Sequence, residues 1–286
     1  MNLMRFKVWF FIASTLLIIP GIIFIFMGGL KFGIDFTGGA LLEYKFEQPV
    51  TKNNLEEFGQ VVESGDNMYI LRTPAVSHDE LQNLKKNITD KYGAFEVRRE
   101  ENVGPTIGKE LEQKALLALV ISWVTIILYI TFAFRKVPKP ASSFRFGVSA
   151  IVALVHDVLL LLGAFAIFGY FWHIEVDTLF VTALLTVVGF SVHDTIVVFD
   201  RVRENLPKNI GKKFEAVVDI SIAQTLARSL NTSLTVVFVL TALLLFGGET
   251  IKWFVVALLI GIVSGTYSSI FNAAALLSWW EEKLGH

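Results

Sequence analysis

Six stretches of the chain are apolar enough, for long enough, to cross a bilayer: about 8–30, 113–134, 147–170, 178–200, 230–247 and 252–276. A spanning helix needs roughly 20 predominantly apolar residues. The fifth stretch is diluted at its start by Asn231, Thr232, Ser233 and Thr235. The first, from Val8 to Leu30, is longer than the apolar core of a signal peptide. No small-x-small cleavage site precedes GIDFTGG at 33–39, so it is read as a retained span.

Between the first two spans the pattern changes. ALLEYKF (40–46) alternates as a half-buried strand does, and NMYILRT (67–73) and FEVRREENV (95–103) read as two more. Asn53 to Ser64 reads as a helix with Leu55, Phe58, Val61 and Val62 on one face. Ser77 and Glu80 have the spacing of a capping box, which predicts a helix to about Tyr92 with Gly93 as its stop. The expected order is β-α-β-α-β. The expected fold is an α-helical polytopic membrane protein with six transmembrane helices. A small extracytoplasmic α+β domain of ferredoxin-like type lies between helices one and two. The expected divisions are 1–32 (N-terminus and first span), 33–111 (the α+β domain with glycine-rich necks) and 112–286 (five spans and a short C-terminus).

Charge orients the spans. Arg5 and Lys7 precede span one, and Arg135, Lys136, Lys139 and Arg145 separate spans two and three. Arg201, Arg203, Lys208, Lys212 and Lys213 follow span four. The loops HIEVD (173–177) and GGETIKW (247–253) are poor in base. Lysine and arginine in short loops stay preferentially in the cytoplasm, which predicts that both termini are cytoplasmic. Overall composition agrees: 53% of residues are hydrophobic and mean hydropathy is +0.59. A net charge of −1 gives no basic field for nucleic acid. With no cysteine there is no disulfide, thiolate metal site or thiol nucleophile. No nucleophile–base set, metal-ligand cluster or nucleotide motif is visible, so no enzyme activity, cofactor or metal is expected.

The residues that stand out are charges inside apolar spans. Asp194 interrupts span four, at a cost of roughly 2.5–3.5 kcal/mol near a helix centre. Such groups usually face other helices or water and mark ion or proton paths. Ser191 lies one turn before it on the same face, and Gly189 allows close helix approach. Arg228, at the start of span five, falls in the same half of the bilayer and is the candidate partner. A fixed pair of the two would be structural. A carboxylate whose arginine partner comes and goes would be a proton switch, with the aspartate as the titrating member. Asn231 and Thr232 stand one turn further in, where they could supply hydrogen bonds or water sites. Asp157, after His156 in span three, fits either a buried helix-to-helix hydrogen bond or a proton role. His193 adjoins Asp194, and its side chain diverges from it by about 100° on a helix. Gly33, Gly38 and Gly39 on one side, and Gly104 with Pro105 on the other, read either as sharp corners or as hinges of the α+β domain.

GIDFTGG after span one, VGPTIGKEL (103–111) before span two, HD in span three and FSVHDTIVVFDRVREN in span four resemble the SecF side of the SecD/SecF family, within the RND superfamily. TLARSLNTS (225–233) and the FGG loop (246–248) extend the resemblance over nearly the whole chain. It implies a non-enzymatic subunit of the bacterial inner membrane. Driven by the proton gradient, such a subunit assists preprotein export on the outer face. The implied partners are SecD, the SecYEG channel with YajC and YidC, unfolded preprotein and membrane lipid. By the same resemblance, the positions of Asp194 and Arg228 are proton-path residues working with an aspartate from SecD. The family pattern GYSxND reads GFSVHD here, which puts a titratable imidazole at position 193. The alternative is an RND-type proton-coupled exporter of small molecules or lipids. A single small outer domain leaves that reading without a porter cleft.

Overall fold

The computed structural model describes residues 2–65, 67–74, 76–135, 137–138 and 141–284. Lys136 and Lys139, part of the basic loop after span two, lie outside the described residues. In chain order the main elements are α1 (Lys7–Phe26), β1 (Gly39–Phe46), β2 (Gln60–Gly65), β3 (Met68–Thr73), α2 (His78–Tyr92), β4 (Phe95–Val103), α3 (Pro105–Ala133), α4 (Ser143–Trp172), α5 (Thr178–Asn205), α6 (Phe214–Phe246), α7 (Glu249–Tyr267), a π-helical turn (Ser268–Ala273) and α8 (Ala274–Lys283). Two compact units result, one of residues 1–31 and 118–286, the other of residues 32–117.

The smaller unit carries a four-stranded antiparallel sheet in the order β2-β3-β1-β4. Ala40 pairs with Thr73 and Asn102, so β1 is central, and a bulge falls between Glu43 and Tyr44 opposite β4. Leu42, Tyr44 and Phe46 from β1, Val61 from β2, Tyr69 and Leu71 from β3, and Leu81 and Ile88 from α2 form its core. The capping box at Ser77 and Glu80 is present, and α2 ends at Gly93, where φ is 85°.

One sequence expectation fails here. The helix expected over 53–64 is cut to a single turn, Lys52–Leu55, and a 3₁₀ turn, Glu56–Phe58. The rest becomes β2, with Val61 opposite Leu71 and Val62 opposite Ile70. Two features override the helical spacing. Gly59 sits at φ 154°, and a Cβ there would lie 2.2 Å from the carbonyl oxygen of Arg72. Val61 and Val62 are β-branched and fit a pleated surface. The added strand completes the β-α-β-β-α-β order and sheet order of a ferredoxin-like fold, with its first helix reduced to a turn.

In the larger unit the described residues include six helical stretches long and apolar enough to span a membrane. Their ends are tied at one face. Asp219 of α6 accepts hydrogen bonds from the backbone N–H groups of Leu3 (2.8 Å) and Met4 (3.1 Å), capping the short turn before α1. Lys7 bonds Glu282, and Arg145 meets the fully buried Glu281 at 2.9 Å. Arg203 donates to the carbonyl of Ala133 at 3.2 Å. Among the described residues, Lys7 and Arg145 thus meet the two neighbouring acids near the end of α8, Glu282 and Glu281. α1 and α4 touch backbone to backbone: a Cβ on Gly21 would lie 2.5 Å from Cα of Gly163.

Candidate proton site

Asp157 is fully buried on α4. Its carboxylate accepts from three hydroxyls: Ser191 of α5 on Oδ2 at 2.5 Å, Ser268 of the π-helical turn on Oδ2 at 2.7 Å, and Ser264 of α7 on Oδ1 at 3.1 Å. His156 Nδ1 lies 3.0 Å from Oδ1. Three elements therefore converge on one acid. The serines can do so because 264 and 268 stand one turn apart on a single face. A second layer extends the cage. Thr195 Oγ1 donates to Ser269 Oγ at 2.8 Å, and Ser269 donates to the carbonyl of Ser191 at 2.9 Å.

Asp194, one turn along α5 from Ser191, is 1% exposed. Thr266 Oγ1 lies 3.4 Å from its Oδ2, and Thr266 shares a 2.6 Å hydrogen bond with Ser233 of α6. His193 Nδ1 is 3.7 Å from Asp194 Oδ1, with an imidazole 62% exposed at the surface of the unit. Ser191, expected to support Asp194, instead donates to Asp157.

Arg228 is not brought to Asp194. No ion pair joins them among the described residues, and Arg228 is exposed on α6. The reason is helical phase: Thr225, Ser229 and Ser233 face inward, and Arg228 is about 100° out of step with them. Asn231 and Thr232 are also exposed, and Thr232 Oγ1 bonds back to the carbonyl of Arg228 at 3.0 Å. The glycine-rich stretches take defined shapes. Gly33 begins the helical turn Ile34–Thr37, and Gly38 and Gly39 have φ of 73° and 131°. Gly104 is the one residue between β4 and Pro105, the first residue of α3.

Sequence reasoning missed the hydroxyl groups of the last span, Ser264, Thr266, Ser268 and Ser269. The signal was present: SGTYSS (264–269) places four hydroxyls plus a tyrosine in an otherwise apolar helix.

A family model for the C-terminal region of SecD/SecF protein export membrane proteins matches residues 83–283, and a SecD/SecF GG-motif model matches 23–50. The chain belongs to the SecD/SecF family. It is 46% identical to the protein translocase subunit SecF of Thermobaculum terrenum, over 99% of this chain and 94% of that one. It is 42% identical to that of Anaerolinea thermophila, over 98% and 94%. Among solved structures, the crystal structure of SecDF from Thermus thermophilus superposes with a TM-score of 0.85 at 32% identity. A SecDF structure described as the super-membrane-facing form gives 0.73. This chain spans 39% of the length of either SecDF chain. SecD/SecF membership accounts for the glycine corner at 33–39, which falls within the GG-motif match.

Proposed function

We propose that this chain is the SecF-type subunit of a Sec protein translocase, working with SecD and coupling proton movement to preprotein export. Near-full-length identity to SecF subunits supports the translocase role. The proton role rests on one observation: two fully buried carboxylates, Asp157 and Asp194, are held by hydroxyls and imidazoles, with no lysine or arginine paired to either among the described residues. A buried charge without a cation is costly, and a proton is the simplest species that cancels it. Each charge crossing the membrane is worth about 2.3 kcal/mol per 100 mV, so a few protons could bias a motion of the outer domain. The glycine stretches at 33–39 and 104 are the hinges in this reading.

Arg228 keeps a role on the opposite ground from the one expected. An exposed arginine in a lipid-facing helix is costly, so the face that bears it is read as covered. Thr182, Thr186, Gly189 and His193 form an exposed line on α5, and Arg228, Asn231, Thr232 and Thr235 form another on α6. Such small and polar lines suit a helix-to-helix seam in a bilayer. SecD is the occupant proposed, with an acid of its own opposite Arg228. SecYEG, YajC, YidC and unfolded preprotein are the further partners, in the inner membrane with both termini cytoplasmic.

The test is Asp194→Asn in membranes that also contain SecD. Proton conduction and the potential-dependent stage of export should fall at least about ten-fold, a loss of roughly 1.4 kcal/mol or more in coupling, with complex assembly unchanged. Normal conduction and export in an assembled complex would refute the reading.

A further inference from the structure

Asp194 is closed off on one side and open on the other. Its Oδ2 faces Thr266, which bonds Ser233, and both of those hydroxyl residues are buried. Its Oδ1 faces Nδ1 of His193 at 3.7 Å, and the His193 side chain is 62% exposed. The chain contains a second pair of the same kind. In His156–Asp157 the imidazole Nδ1 lies 3.0 Å from Oδ1 of the next residue. An imidazole can therefore fold back onto the following aspartate without leaving the helix, and the 193–194 pair needs to close by less than an ångström to do the same.

His193 also ends the exposed line of Thr182, Thr186 and Gly189 on α5, at spacings that keep all four on one face. With Nδ1 turned toward Asp194, Nε2 points out along that face. The charges around the ring are few. α5 supplies Asp194, and α6 supplies Arg228 on its own exposed line. Thr266 of α7 is uncharged, and Asp157 of α4 is held by its serines. No other carboxylate lies within 4.0 Å of the imidazole among the described residues. The two exposed lines thus carry an arginine and a histidine and no acid, which is complementary to an acidic surface.

We propose that His193 is the residue through which Asp194 acts on its partner: as an imidazolium it holds Asp194 with Nδ1–H and a carboxylate of the partner helix with Nε2–H. In the transfer the Nδ1–H bond breaks and a bond from that proton to Asp194 Oδ1 forms. The ring is left neutral with its proton on Nε2, the carboxyl is neutral, and the summed charge of the pair stays at zero. Across the seam an ion pair has become a neutral hydrogen bond, and charge-assisted hydrogen bonds are the stronger kind. One proton moving within this chain thereby loosens the hold on the other. The inference rests on the proton-coupled reading above and names the group that reports the state of Asp194 to the partner.

The test uses the full chain with and without SecD in phospholipid vesicles. Diethyl pyrocarbonate modifies accessible neutral imidazoles, and peptide masses separate the five histidines. With the exposed His173 as reference, His193 should react on the order of ten-fold more slowly in the complex than in the lone chain, as a group inside an interface does. Equal rates overturn the placement. SecD retained by the chain should fall about three-fold or more as pH rises and the imidazolium is lost. His193→Gln, which keeps a donor but cannot titrate, should make retention independent of pH. Retention that is flat in the unsubstituted complex, or that falls equally in His193→Gln, overturns the proposal. In ¹⁵N spectra the midpoint of the His193 imidazole should move in Asp194→Asn, and an unmoved midpoint means that the two groups share no proton. None of these readouts is conduction or export. A complex that forms with His193 unprotected therefore sinks this inference alone, whereas a normally conducting Asp194→Asn complex sinks the reading beneath it.

Discussion

At the scale of single residues, the two acids inside the spans, Asp157 and Asp194, are held by hydroxyls and imidazoles rather than by lysine or arginine. Asp157 is the clearest case, and it sets a number. Ser268 is one of three hydroxyls on that carboxylate, and a hydrogen bond to a charged group is worth about 1.5–3 kcal/mol. Ser268→Ala should lower stability by that amount, read as a fall in the unfolding midpoint of the purified chain in micelles. The outer domain offers a second residue-level prediction. The Glu57 carboxylate accepts from Lys91 Nζ at 2.6 Å and from the Tyr92 hydroxyl at 3.0 Å, and the Lys91 and Tyr92 hydrogen bonds hold it below the usual glutamate range. A lowered acid stabilises the fold above its unfolded value and loses that contribution as pH falls through its folded one. The protection of α2 amides, taken relative to their intrinsic exchange rates, should therefore fall on acidification below about pH 4, and Glu57→Gln should flatten that response. Asp194 and Asp157 were legible in the sequence because an acid in an apolar span has no bland explanation at the surface. Their surroundings were not, because serine and threonine are common in membrane helices and nothing local says which hydroxyl points inward. Arg228 misled for a related reason: shared depth in the bilayer does not fix which side of a helix a residue occupies.

At the scale of elements, the apolar lengths of the spans and the capping box of α2 could be read directly, because each depends on neighbours within one or two turns. The stretch 53–64 could not. Its apolar residues at 55, 58, 61 and 62 satisfy helical spacing, but the pairing of Val61 and Val62 with β3 is a contact the sequence does not display. Helix-to-helix contact was equally hidden. Gly163 looks like any glycine in a span, but it meets Gly21 with no room for a side chain. Gly163→Leu should force α1 from α4 at a cost of about 1–3 kcal/mol. The check is thermal aggregation of the variant in detergent, with Gly189→Ala, where nothing lies within 4 Å of an added Cβ, as the tolerated control.

At the scale of the whole molecule, the larger unit is built to be half of something. Its inward faces are closed by hydroxyl networks, and two neighbouring helices present polar lines outward. Thiols placed at Gly189 and Asn231 should cross-link to SecD in membranes, and thiols at Leu117 and Leu128 on α3 should not; equal yields at all four would remove the proposed seam. One more consequence follows from the π-helical turn at Ser268–Ala273. Such a turn holds one residue more than regular α-helix accommodates. If it relaxed, everything after it would swivel by about 100°. At the far end of α8, Glu281 would leave Arg145. Trp279 and Trp280 ride on that same segment. The protein thus carries its own optical gauge: with Trp9, Trp123, Trp172 and Trp253 replaced by Phe, their emission would register whether the turn is formed.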